Sequence, residues 1–214
     1  MTFFSAFTRR LAASRLARPV LAGCFLTGSL LAGSLLAGCT PAPSRAPDIY
    51  YDMSLTPVEQ NYGSTASLSI SSVSAQGVMS GRPFVVRASS DPLSYTELRG
   101  HLWHIPPAQL LQSALVESLS AGSSDLVIGT SETLTSPDFR LKLKVQQFSF
   151  RPGIDAALSL SAIITSKSGE VIYSGTVAAE YPVSGEAPSD AVRAYQNALQ
   201  DICAQLAETL SSSL

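Results

Sequence analysis

The sequence predicts an α+β domain, a single small mixed or antiparallel sheet with two main helices packed on it. Three observations predict it. Apolar and polar residues alternate with period two in several segments between residues 49 and 182. Apolar residues recur at helical spacing in two places, from Pro107 to Ala121 and from Ser189 to Leu210. Each helical pattern follows a block of strand patterns, the order that lays helices on one face of a sheet. A leader and a proline-rich linker precede this domain, so the chain divides into residues 1–38, 39–48 and 49–214.

The leader carries Arg9, Arg10, Arg15 and Arg18 and no acid, and the run from Val20 to Gly38 has no charge. Basic residues, then an apolar run, then a site of small residues form a secretory signal. The tetrapeptide "LAGC" occurs twice, ending at Cys24 and at Cys39, and each copy resembles a lipobox. A signal needs about 7–15 apolar residues before its processing site. Only "VLAG" separates Pro19 from Cys24, whereas Cys39 follows the whole run. Cys39 is therefore the predicted lipid acceptor, and Cys24 serves as a small apolar residue of the run. The alternatives are simple cleavage and an uncleaved anchor, since about 18 apolar residues can span a bilayer.

Residues 1–38 hold four of the 14 basic residues and none of the 16 acidic ones, so the rest of the chain carries a net charge of −6. That balance excludes nucleic acid as a partner, because phosphate binding needs a basic footprint. With Cys39 acylated, Cys203 has no partner for an intrachain disulfide. The linker "TPAPSRAPD" has three prolines and no apolar pattern. Extended at about 3.3 Å per residue, it reaches about 30 Å.

The domain opens with "IYYDMSL", a short strand. "TASLSISSV" sets Ala66, Leu68 and Ile70 against Ser67, Ser69 and Ser71, a half-buried strand. "RPFVVRA" and "LSYTELRGHLW" read as a strand pair joined through "SSDP". Pro106 and Pro107 start a helix, whose stripe is Leu110, Leu111, Ala114, Leu115 and Leu119, and Gly122 ends it. In "DFRLKLKVQQFSFRPG", Phe139, Leu141, Leu143 and Val145 share a face, and Phe148 and Phe150 follow in the opposite phase. A bulge at Gln146 and Gln147 returns both aromatics to the core. Leu158, Leu160, Ala162 and Ile164 align on the next strand, and Val171, Tyr173, Val177 and Tyr181 on the one after. "SKSG" joins these two strands as a hairpin. The last helix buries Val192, Tyr195, Leu199, Ile202 and Leu206, with Asp190 favouring the dipole at its start.

Chemistry is sparse. The two histidines, His101 and His104, lack companions at ligand spacing. There is no "GxSxG" elbow, and neither glycine-rich phosphate loop occurs. No catalytic residue, cofactor or metal is expected. Arg140, Lys142 and Lys144 project from one face of a strand whose other face is apolar. They form either a solvated face or a contact strip for an anionic lipid or an acidic partner. Trp103, the single tryptophan, either packs under the first helix or serves an interface. Cys203 reads as a small core residue.

The chain resembles the ABC-type transport auxiliary lipoproteins, the family of paraquat-inducible protein C. The resemblance rests on "IYYDMSL", on the "RP" pair before a strand, and on a tryptophan just ahead of an apolar helix. The residues are Tyr50, Tyr51, Arg82, Pro83 and Trp103. The later "FRLKLKVQQFSF" block and the final helix fit as well. The resemblance implies a fold similar to the N-terminal domain of TolB-like proteins. It implies an auxiliary role, without catalysis, in MCE-type lipid transport driven by an ABC transporter. The lipoprotein would dock or receive the MCE protein, with phospholipid as cargo and a homo-oligomeric ring as one form. Thr40 follows Cys39, in place of the aspartate that retains such lipoproteins in the inner membrane. With acyl chains (palmitate among them) on Cys39, this implies the periplasmic side of the outer membrane. The other reading is a structural or assembly lipoprotein of another envelope or secretion system.

Overall fold

The computed structural model describes residues 46–62, 65–88, 91 and 93–213, and residues 46–214 form one compact unit. The signal run, Cys24, Cys39 and most of the linker lie outside the described residues. Eight strands and two long helices follow in order. They are β1 (Ile49–Tyr51), β2 (Ser67–Ile70), β3 (Pro83–Arg87), β4 (Tyr95–Trp103), α1 (Pro107–Gly122), β5 (Val127–Thr130), β6 (Phe139–Arg151), β7 (Asp155–Ser166), β8 (Val171–Pro182) and α2 (Pro188–Ser213). The α+β class and the two helices are as the sequence predicts.

The strands divide into two sheets, ordered β1-β4-β3 and β5-β2-β6-β7-β8, where the sequence predicts one. Alternation tells which way side chains point and not which strand is the neighbour. Here β2 pairs in parallel with β5 and β6, leaving β3 to pair with β4. Strand β5 escapes the sequence reading because it is four residues long and half of its pattern is Val127 exposed and Gly129 buried. The burial of β2 on both faces also corrects the half-buried expectation. Ser69 is 1% exposed and its hydroxyl finds no partner. Its register partner is Gly129, and the segment after β5 folds back so that Thr133 and Leu134 press against that glycine.

The inner face of the larger sheet carries Leu68, Ile70, Leu141, Leu143, Leu158, Leu160, Ala162, Ile164 and Val177, all buried. Every apolar residue assigned from sequence to the stripes of α1 and α2 is buried against it. Fully burying a side chain of this size gains about 1.5–3 kcal/mol, so this seam dominates stability. The bulge stands where the phase of β6 changes. Its register with β7 slips between Val145 and Gln147, and Phe148 and Phe150 are both buried. The β7–β8 hairpin turns through Gly169, whose φ of 90° suits glycine. Helix α1 ends at Gly122, but through close approach rather than a left-handed cap. A Cβ there would meet the Val58 carbonyl oxygen, in a place where the Gln60 N–H donates to the Gly122 carbonyl at 3.0 Å.

Candidate partner and lipid surface

Strand β6 presents Arg140, Lys142 and Lys144 outward because Leu141, Leu143 and Val145 are drawn into the core between them. All three cations are exposed, and no ion pair among the described residues engages them. With a rise of about 3.3 Å per residue, the strip runs about 13 Å from Arg140 to Lys144. Its register partners on β7 are Thr165, Ile163 and Ser161, and those in turn face Val171, Ser174 and Thr176 on β8. The start of the strip is fixed by Asp138. Its carboxylate accepts from the Ser67 N–H at 3.0 Å and from the Ser67 hydroxyl at 2.7 Å. These bonds hold the Asp138 carboxyl below its ordinary value, so this nearby acid stays ionised and occupied by Ser67. The result is an exposed row of cations flanked by hydroxyl side chains.

Trp103 lies elsewhere. It is 1% exposed and stacks on Phe84 at 4.9 Å between ring centroids, with Phe148 at 5.4 Å and Tyr195 at 6.0 Å. Its side chain is a core element joining the smaller sheet to α2, and it reaches a partner only through the residues that cover it. Around it stand the other residues that carry the family resemblance. The Trp103 backbone N–H donates to the Arg82 carbonyl at 2.7 Å, and Arg82 Nε donates to the Trp103 backbone carbonyl at 3.0 Å. The Arg82 guanidinium also sits 5.3 Å from the Tyr50 ring centroid. Tyr51 pairs with Trp103 in register, packs edge-on against Phe84, and its hydroxyl meets His101 Nδ1 at 2.9 Å. Pro83 stands opposite Leu102. Tyr50, Tyr51, Arg82, Pro83 and Trp103 thus form one clamp, which fastens β1 where the linker enters the domain.

Of the other reactive side chains, His104 is exposed, and His101 and Cys203 are engaged. His101 is held by Tyr51, and among the described residues no three His, Cys, Asp or Glu side chains gather as a metal site. Cys203 is fully buried, its thiol contacts the Ser118 hydroxyl at 3.4 Å, and burial pushes the thiol up, away from the reactive thiolate. An open cleft of about 430 Å³ lies between the end of β8 and the start of α2. Arg193 on its rim is paired with Asp190, so the cleft offers an anion no net charge. No helix among the described residues is long and apolar enough to cross a membrane.

The model of the ABC-type transport auxiliary lipoprotein component family matches residues 51–207. No curated protein matches the chain in sequence. Among solved structures, an uncharacterized protein superimposes with a TM-score of 0.65 at 18% identity, covering 77% of this chain and 99% of its own. A DUF330 protein from Xanthomonas campestris, XCC0632, gives a TM-score of 0.65 at 19% identity, covering 77% and 95%. At such identities the likeness speaks to fold. The matched span begins at Tyr51, the last residue of β1 and part of the clamp, and runs through the remaining strands into α2 as far as Ala207.

Proposed function

The chain belongs to the ABC-type transport auxiliary lipoprotein family, and from that premise we propose that it is a lipid-anchored adaptor for MCE-type phospholipid transport, docking or receiving the transport protein at the periplasmic face of the outer membrane. The observation that carries this reading is the order of parts. A lipobox ending at Cys39 and a linker that can reach about 30 Å lead into a folded domain that the family model matches from residue 51 to residue 207. Acyl chains on Cys39 hold the domain to a bilayer, with more than one chain needed for stable anchoring. The linker supplies reach and the folded surface supplies recognition. Membership in an auxiliary transport family fits a role in which no bond is made or broken.

Cross-linking in intact envelopes, followed by detergent solubilisation and capture of this chain, tests the role. Recovery of an MCE protein or its ABC transporter subunits is the expected result. Recovery of a secretion or surface-assembly machine in their place would transfer the chain to that system. The anchor has its own test. Cys39→Ala is expected to abolish incorporation of labelled fatty acid and leave the precursor unprocessed, whereas Cys24→Ala changes neither. Wild-type labelling of Cys39→Ala would remove Cys39 from the argument.

A further inference from the structure

We propose that the outer face of the larger sheet, centred on Arg140, Lys142 and Lys144, lies against the anionic phospholipid headgroups of the bilayer that holds the chain's own anchor. The inference rests on the anchoring half of the proposed function. Charge is the first ground. From Cys39 onward the chain has a net charge of −6, yet three cations stand in line on β6, and no acid occupies the positions opposite them on β7 or the next positions on β8. Such a line attracts anions locally whatever the net charge. Chemistry is the second ground. The neighbours facing the strip are Ser161, Ile163, Thr165, Ser174 and Thr176, of which Ser161, Ser174 and Thr176 carry hydroxyls that donate to phosphate oxygens as the cations do.

The make-up of the face favours a membrane over an acidic protein. Protein interfaces concentrate their energy in aromatic and arginine anchors set in pockets. The exposed aromatics of this domain are Tyr50 and Tyr95, on β1 and β4 of the other sheet. The β6 face carries no exposed aromatic. A basic patch is also the usual second attachment beside acyl chains, and the linker is long enough for the domain to lie down. Seated this way, the sheet turns α1 and α2 away from the bilayer and leaves the helical side to the transport protein.

The test uses the lipidated full chain in discs of phosphatidylcholine, with or without phosphatidylglycerol. A pulse of amine acetylation, read by peptide mass spectrometry, reports on Lys142 and Lys144. Both are expected to label about fivefold more slowly in anionic discs, the factor for about 1 kcal/mol per basic residue at an anionic surface. The protection should vanish in high salt, where the Debye length falls to about 3 Å. Equal labelling in the two kinds of disc overturns the proposal. So does protection by inorganic phosphate in neutral discs, which would mark a phosphate site. Protection in native envelopes but not in anionic discs also overturns it and assigns the face to an acidic protein. Capture of transport subunits from the same envelopes reads the adaptor role separately, so intact capture with equal labelling removes the membrane face and spares that role.

Discussion

Trp103 shows how one residue can be legible in kind and ambiguous in use. Its place before an apolar helix is visible in the sequence, but a tryptophan there can anchor a partner or fill a core. Only the third dimension brings Phe84, Phe148 and Tyr195 around it. Trp103→Ala should therefore destabilise the domain by about 3–5 kcal/mol, the range for removing a large buried aromatic. Urea unfolding of purified protein checks this. A loss below about 1 kcal/mol would mean that the ring is dispensable to the core. Arg151 and Asp155 were not singled out by any sequence motif. Arg151 Nε donates to Asp155 Oδ1 at 2.8 Å, and the Asp155 side chain is 6% exposed. Arg151→Ala should cost about 3 kcal/mol by leaving a buried carboxylate unpaired. Arg151→Ala with Asp155→Asn should recover part of that loss, and a double variant no better than the single would refute the pairing argument.

At the scale of elements, alternation is a strong signal where a strand has one buried face and a weak one elsewhere. Strands β6 and β7 each span 12 residues or more with clear alternation, so their faces and the bulge between them can be read in advance. The exposed placement of Arg140, Lys142 and Lys144 follows from the same rule. Strand β2, closed on both faces, and β5, too short to alternate, carry no such signal, and which strands pair is set by the chain's path. The bulge makes a sharp prediction. Val145 pairs with Leu160 and Gln147 with Ser159, so Gln146 is the extra residue. Deleting Gln146 leaves Val145, Phe148 and Phe150 on the core face, and stability should change by no more than about 1 kcal/mol. Deleting Ser149 makes the two phenylalanines adjacent and turns one of them outward, with a loss of about 3 kcal/mol or more. Thermal melts of the two deletions compare them directly, and equal losses would show that the bulge does not set the phase.

For the whole molecule, the core places several titratable groups where water does not reach, and this ties the stability of the fold to alkaline pH. Tyr62 is 3% exposed with an unpartnered hydroxyl, and burial pushes its phenol up to about 12. Tyr195 is raised well above its ordinary value by burial, and the Cys203 thiol is raised for the same reason. In the unfolded chain the phenols titrate near 10 and the thiol near 9. At neutral pH each group is protonated in both states and adds no pH dependence. Above pH 9 the unfolded chain begins to release protons that the folded chain keeps. It then binds fewer protons than the native state, and stability must fall as pH rises. For Tyr62 the fall starts near 10 and is complete once pH passes the folded value of about 12. Denaturant midpoints measured from pH 8 to pH 11 should decline, by about 1 kcal/mol or more over the last unit. Tyr62→Phe separates this effect from general surface repulsion. The variant loses a buried hydroxyl that had no partner, so it should match or exceed the wild type at pH 8 and decline less steeply toward pH 11. Parallel declines in the two proteins would show that the phenol of Tyr62 is not what alkali attacks.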